Sequence, residues 1–306
     1  VTTGDGVRKT ISVVIPTYGR DAVLVESIAY LLALRSRADE IVIVDQSERH
    51  DDATQAALTS MHACGDVRWI RLERPSITHA MNVGLVAAHG DIVLFVDDDI
   101  IPRGELVESH RQVHSSAAIP ACERQLLAGR VLQPWHVDGS RPPDRLASDE
   151  PGIVDEFIGC NFSVDRIWAI GIGGFDERFV RVAYRYEAEF GARAQRQGAR
   201  IRFVPEACIH HLRAERGGTR SYGDHLRTAQ PAHAVGLYYY LLRARPRGWW
   251  LDLVFKPIRA FTTRFHLRHP WWIPAVLVAQ VGGLAWALLL FARGPALIGR
   301  GSAVRP

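Results

Sequence analysis

The stretch DIVLFVDDDIIP, residues 91–102, sets five consecutive apolar residues directly before three adjacent carboxylates, Asp97, Asp98 and Asp99. An unbroken apolar run of this length reads as a strand buried on both faces, as in a parallel sheet covered by helices. Other segments share the form. ISVVIPTYGR (11–20) stops at Pro16, EIVIVDQS (40–47) carries Asp45 at its end, and VRWIRL (67–72) is a further strand. Helical patterns lie between them. AVLVESIAYLLALR (22–35) puts Leu24, Ile28, Leu31 and Leu32 on one face behind Asp21 as N-cap. DDATQAALTSMH (51–62) follows, and then SITHAMNVGLVAAH (76–89), closed by Gly90. This alternation predicts an α/β fold with right-handed crossovers. Ligands of such sheets bind beyond the carboxyl ends of the strands. Thr17, Tyr18, Asp45 and residues 97–99 are therefore expected to converge on one crevice.

Three carboxylates at the mouth of a buried strand repel one another and are costly if left unpaired. A positive partner is expected there. A hard divalent cation, Mg²⁺ or Mn²⁺, takes oxygen ligands and is commonly held by one or two carboxylates plus substrate phosphates. A solvated acidic turn is the competing reading. Asp45 and IPTYGR, at two other strand ends, weigh against it.

The 306 residues suffice for one large α/β domain with an appendage. An apolar share of 47% with 23% charged residues excludes a disordered chain. A net charge of +4 is too small to argue for nucleic acid, and none is expected as partner. Cys64, Cys122, Cys160 and Cys208 lack the CxxC spacing of zinc or redox sites and read as thiols of a reducing compartment. The opening VTTGDGVRKT has no apolar core, so a cleaved secretory signal is not indicated.

From residue 103 to 150 the pattern weakens, and GSRPPDRLASDEPG (139–152) is a proline-rich polar loop. Order returns with EFIGCNFSVDR, GGFDERF, a helix EAEFGARAQRQG ending at Gly198, and the strand and turn ARIRFVPEACIHHL (199–212). The last third differs. Arg243, Arg245, Arg247, Lys256, Arg259, Arg264 and Arg268 face one acid, Asp252, with tryptophans and phenylalanines interleaved. Residues 270–292 then carry no formal charge, which is long enough for a membrane span. The basic segment would stay cytoplasmic, with Trp271 and Trp272 at the interface. Gln280, Gly282, Gly283 and Pro274 favour the competing reading, a buried hairpin or a homo-oligomer contact. The boundary falls near 225, giving a catalytic domain of residues 1–225 and a membrane-associated region of 226–306.

Together, ISVVIPTYGR, IVIVDQS, SITHAMNVGLVAAHGDIVLFVDDDIIP, GCNFSVDR, GGFDERF and YRYEAEFGARAQRQGARIRFVPEACIHH, in this order, resemble glycosyltransferase family 2. The resemblance covers residues 11 to about 211. It implies the glycosyltransferase A fold, a Rossmann-like, mostly parallel sheet flanked by helices. It also implies inverting transfer from a nucleotide-diphosphate sugar, with Mn²⁺ or Mg²⁺. With the basic and apolar tail, the leading reading is an enzyme at the cytoplasmic face of the cell membrane, acting on a glycan or lipid-linked acceptor. Carried over, Pro16, Thr17 and Tyr18 line the nucleotide pocket and Asp45 meets the base or ribose. Asp97, with Asp98 beside it, faces the ribose, and Asp99 takes the metal. His211, or its neighbour His210, approaches the metal or diphosphate. Glu187 is the general base.

The chain departs from the family in places. Met81 in AMN stands where arginine is common, with Arg74 or Arg220 as expected replacement. The usual Glu-Asp pair is Tyr186–Glu187, and Glu189 takes a place where aspartate is common. The base is thus Glu187 or Glu189. On a helix these diverge by about 200°, so one alone faces a cleft.

Two other classes compete. A nucleotidyltransferase making sugar nucleotides shares the strand-end aspartates, but it usually has a glycine-rich basic loop where PTYGRDAVL stands. A non-catalytic sugar-nucleotide-binding membrane protein fits the incomplete acidic pair. No G-x-G-x-x-G follows the first strand, which disfavours a dinucleotide dehydrogenase. GIGGF (171–175) lacks the Lys-Ser/Thr of a P-loop. ERGGTR (215–220) reads as a mobile loop over the donor or as an ordinary turn.

Overall fold

The computed structural model describes residues 8–117, 120 and 123–299, so Cys122 lies outside the described residues. Its strands are β1 (Ile11–Thr17), β2 (Glu40–Asp45), β3 (Arg68–Arg71), β4 (Ile92–Val96), β5 (Ile100–Arg103), β6 (Gln125–Leu132), β7 (Gly152–Val154), β8 (Asn161–Asp165) and β9 (Arg200–His211). Its helices are α1 (Ala22–Leu32), α2 (Asp52–Ala63), α3 (Ile77–Ala87), α4 (Leu106–His114), α5 (Pro134–Val137), α6 (Arg166–Gly171), α7 (Tyr186–Arg196), α8 (Val235–Ala244), α9 (Trp249–Phe261), α10 (Arg264–Arg268) and α11 (Ile273–Ala292).

The main path of the sheet is β3-β2-β1-β4-β8-β6-β9-β5, with β7 paired to β9. β3, β2, β1 and β4 are parallel, as their unbroken apolar runs predict, and every residue of β1 and β4 is buried. Beyond β4 the sheet is mixed: β8 runs antiparallel to β4 and β6, while β6 and β9 are parallel. The order reverses between β1 and β4, a topological switch point. That opens a crevice beyond their carboxyl ends. The register Val14↔Phe95 brings Thr17 opposite Asp98 across this crevice.

Helix starts follow the side-chain chemistry in four cases. Asp51 accepts from Thr54 N–H at 2.7 Å, Ser76 from His79 N–H at 3.4 Å, Asp165 from Trp168 N–H at 2.8 Å and Thr263 from His266 N–H at 3.3 Å. Asp21 stands at the N-cap position of α1 but makes no capping bond. Its carboxylate is drawn to His50 Nδ1 (3.0 Å) and the Asp51 N–H (3.3 Å) instead. His110 of α4 packs inside the fold. Burial pushes its pKa down to about 4, and Ser163 Oγ and Asn161 Oδ1 hold its two nitrogens at 2.8 and 3.1 Å.

The last third packs on the rest of the chain. α8 buries Tyr238 and Tyr239 against Phe179 and Ala183, and the Tyr239 hydroxyl donates to Asp176 at 2.7 Å. α11 lays Val276, Ala279, Gly283, Ala287 and Leu290 toward the protein; Gln280 accepts from the Tyr238 hydroxyl at 2.6 Å. Residues 294–298 then return to the sheet domain. Ala296 N–H donates to Asp176 (2.9 Å), Ile298 N–H donates to the Gly173 carbonyl (2.8 Å), and the Ile298 side chain enters the core. Gly173 and Gly174 have φ of +98° and +60° and lie under Leu297 and Ile298, so the GIGGF turn serves this packing.

The opposite face of α11 exposes Leu277, Val278, Val281, Leu288 and Leu289. α9 buries no residue and exposes Trp250, Leu251, Val254, Phe255 and Ile258, one helical stripe. Pro270–Ala292 is long and apolar enough to cross a membrane.

Candidate active site

The crevice beyond β1 and β4 is a cavity of ≈ 940 Å³. Asp97, Asp98 and Asp99 form its floor, and each is used differently. Asp98 is buried and its two oxygens are occupied: Thr17 Oγ1 donates to one at 2.6 Å and Arg20 Nε to the other at 3.1 Å. Burial drives its pKa up to about 7 against the pull of Arg20 and Thr17. Asp99 is buried too, but burial is outweighed by His211, Arg20 and the Ala214 N–H, which together hold its carboxyl below the usual range. Desolvation raises Asp97. Arg20 is the resident positive charge that the triplet requires, reaching Asp98 at 3.1 Å and Asp99 at 3.2 Å.

The donor set fits a divalent cation. Asp97, Asp99 and His211 each offer a ligand atom, and these atoms lie within 4.8 Å of one another. Asp99 Oδ1 is buried and receives no hydrogen bond, although His211 Nε2 stands 3.2 Å away. An unsatisfied buried carboxylate oxygen costs about 1–3 kcal/mol or more, which a bound cation would offset. Two carboxylates and one imidazole match the hard-to-borderline preference of Mn²⁺ or Mg²⁺. His210, the alternative, projects elsewhere: it does not line the cavity, and its Nε2 is buried without a partner.

Glu187 and Glu189 occupy the first turn of α7 and point apart, as helical geometry demands. Glu187 lines the cavity, and burial pushes its pKa up to about 7. Glu189 is buried away from it and gripped by Arg193 at 3.1 and 2.9 Å; Arg193 also donates to the carbonyls of Ile172 and Gly174. The chain reaches Glu187 through a strained segment. Arg181, Ala183 and Arg185 have φ of +62°, +51° and +75°, a conformation costing about 1–3 kcal/mol per residue. α8 presses on this backbone: a Cβ on Gly236 would come within 2.6 Å of the Tyr184 carbonyl oxygen.

Most of the residues named from the sequence meet here. Pro16, Thr17, Tyr18, Asp97, Asp98, Asp99, Glu187 and His211 line the one cavity. Asp45 does not. Its carboxylate is fully buried, bonded to His50 Nε2 (2.8 Å), the Trp69 indole N–H (3.0 Å) and the Ser47 N–H (2.8 Å), and the neighbouring Gln46 lines the cavity in its place. Met81 is buried in the core; of its two expected substitutes Arg220 reaches the cavity and Arg74 does not. Arg20, Arg181, Arg213 and Tyr222 also line the cavity. Of these, Arg20 alone had a signal in the sequence, as a cation within IPTYGR close to three unpaired acids.

Residues 12–126 match the model of glycosyl transferase family 2. No curated protein sequence matches the chain. Several solved structures share its fold. GalNAc-T7, solved with UDP, GalNAc and Mn²⁺, aligns at a TM-score of 0.63 and 13% identity over 94% of this chain and 57% of that one. Mannosyltransferase PcManGT from Pyrobaculum calidifontis, in complex with GDP-Man and Mn²⁺, aligns at 0.53 and 19% over 94% and 79%. S. aureus TarS 1-349, in complex with UDP-GlcNAc, aligns at 0.58 and 15% over 93% and 92%. The chain thus spans little more than half the length of the first of these. At such identities the likeness is one of fold. This chain has the glycosyltransferase A fold, a mixed α/β sheet flanked by helices, and its residues 12–126 match the glycosyl transferase family 2 model.

Proposed function

We propose that the protein is an inverting glycosyltransferase. It moves a sugar from a nucleotide-diphosphate sugar to a hydroxyl of a glycan or lipid-linked acceptor, with a divalent cation. The observation that carries this reading is the meeting of two kinds of carboxylate in one cavity: those of a cation set, Asp97 and Asp99 with His211, and that of Glu187, which stands outside the set and is raised in pKa to about 7 by burial. Such a transfer uses a base for the acceptor hydroxyl and a positive charge for the leaving diphosphate. The acceptor oxygen attacks the anomeric carbon opposite the leaving diphosphate, and Glu187 takes the hydroxyl proton as that bond forms. When bound, the cation supplies Lewis-acid neutralisation of the departing diphosphate. Thr17 and Arg20 hold Asp98, and through it the floor of the donor site. Pro16, Tyr18 and Gln46 flank the nucleotide, and Asp45 acts one layer behind them by fixing His50 and the turn at Ser47. Arg213 and Arg220 supply to the diphosphate the positive charge that Met81 does not carry.

Nucleotide selection tests the reading. UDP and GDP, offered with and without Mn²⁺, are expected to raise the melting temperature only when Mn²⁺ is present and with one base preferred. A ligand at 100 times its dissociation constant contributes about 2.7 kcal/mol. No stabilisation by any nucleoside diphosphate with Mn²⁺ would exclude a donor site.

We place the enzyme on the cytoplasmic membrane face, resting on α9 and α11. The support is their two exposed apolar stripes beside exposed Arg245, Arg247, Arg259, Arg264 and Arg268. Each such charge contributes about 1 kcal/mol near an anionic leaflet. Surface docking fits better than a full span, because α11 would have to leave α8 and Tyr238 to cross. The full chain is expected to sediment with anionic vesicles, and Trp250→Ser with Phe255→Ser to lower the bound fraction about tenfold. A full chain that remains soluble beside anionic vesicles at low salt would overturn the docking.

A further inference from the structure

Arg20 stands where the acidic strand end meets the segment that follows β9. Its side chain is 9% exposed. Nε donates to Asp98 at 3.1 Å and one terminal nitrogen to Asp99 Oδ2 at 3.2 Å. The other terminal nitrogen donates to the carbonyls of Ala214, at 3.2 Å, and Arg216. Backbone bonds continue this seam. Ala214 N–H donates to Asp99 Oδ2 (2.7 Å), Leu212 N–H to the Asp99 carbonyl (2.8 Å) and Gly218 N–H to the Tyr18 carbonyl (2.8 Å). A Cβ on Gly217 would lie 2.4 Å from the Gly19 carbonyl oxygen, so the segment lies flat on the end of β1. Residues just beyond it, Thr219, Arg220 and Tyr222, form one wall of the cavity.

We propose that Arg20 is a positioning residue that joins the cation site to this wall. It fixes the Asp99 carboxylate and the backbone of residues 212–218 with one guanidinium, so the state of one bears on the other. The planar fork suits acceptors in three directions, which a lysine ammonium cannot meet from the same stem. The inference rests on the donor-site reading for its consequence in catalysis, but the contacts stand without it. The rival role is a plain counter-ion to the three acids. The two roles differ in what a lysine can rescue. A counter-ion survives replacement by lysine. A tie to two carboxylates and two carbonyls does not.

The segment carries its own reporter, because Arg213, Arg216 and Arg220 are trypsin sites. Full-length wild type, Arg20→Lys and Arg20→Gln are digested without metal or nucleotide, and cleavage within 213–220 is compared with cleavage elsewhere. Both variants are expected to be cut there about tenfold faster or more, with other sites unchanged, because loss of a buried charged hydrogen-bond set raises the open population. Mn²⁺ alone should bind Arg20→Gln as tightly as wild type or tighter, since a competing charge is removed. Nucleoside diphosphate at saturating Mn²⁺ should bind both variants about tenfold more weakly. Arg20→Lys cleaved at the wild-type rate overturns the proposal and leaves Arg20 a counter-ion; this variant keeps the charge and decides the matter if Arg20→Gln does not fold. If no nucleotide binds any of the three proteins, the donor-site reading fails while the proteolysis result still decides the tie.

Discussion

Glu187→Gln is expected to keep nucleoside-diphosphate affinity within about twofold and to lower kcat by about 10²–10⁴. The substitution keeps the shape of the cavity wall and removes only the proton acceptor. The pH profile gives a second, independent readout. Burial raises the Glu187 pKa to about 7, so the carboxyl is protonated and inactive below that value and ionised above it. kcat/KM of wild type should therefore rise with pH to an inflection near 7. Neutralisation of Asp97 by a bound cation moves the inflection downward, because the Asp97 charge is one of the influences that raise Glu187. The acidic limb should vanish in Glu187→Gln. Glu189→Gln is expected to act otherwise. It weakens a buried pair with Arg193 at 2.9 Å, and should lower the melting temperature more than kcat. A larger kcat loss in Glu189→Gln than in Glu187→Gln would remove Glu187 from its role.

Asp99→Asn is expected to abolish metal dependence and to lower transfer by on the order of 10³. The reason lies in the two oxygens of Asp99. Oδ2 accepts from Ala214 N–H and Arg20, and Oδ1 receives no hydrogen bond and faces His211 Nε2 at 3.2 Å. An asparagine must give its one carbonyl oxygen to the donors on the Oδ2 side. That turns its NH₂ toward His211 and the cation position, where it is no ligand. Mn²⁺ affinity, measured by titration calorimetry, should fall at least about a hundredfold. Chelator should bring wild type down to the level of the variant, and added Mn²⁺ should restore only the wild type. An Asp99→Asn enzyme with wild-type turnover at limiting Mn²⁺ would refute the cation set.

What the sequence disclosed, and what it withheld, follows from the range of the interactions. β1, β2 and β4 are legible because each is buried on both faces and its apolar run is continuous. Glu187 and Glu189 are local too: helical phase says that one alone faces the cleft, though not which one. α4 hides in the stretch where the pattern weakens, and β5 just before it, behind the three acids. β5 is four residues long and finds its partner on β9, more than a hundred residues on. Asp45 is legible as a strand-end carboxylate. The direction of its side chain depends on Trp69, 24 residues away, and on His50. The tie through Arg20 spans 194 residues to Ala214 and has no local trace.

Those separations have a consequence for the life of the molecule. Thr17 meets Asp98 across 81 residues of chain, and Ala214 meets Asp99 across 115. Contacts this distant form only after the intervening chain has given up its freedom, so topology of this kind folds slowly. A half-made chain holds its acids, its imidazole and its guanidinium far apart. On the proposed reading it could neither sequester a metal nor trap an activated sugar, and a ligand captured later would add its binding energy to the finished form alone.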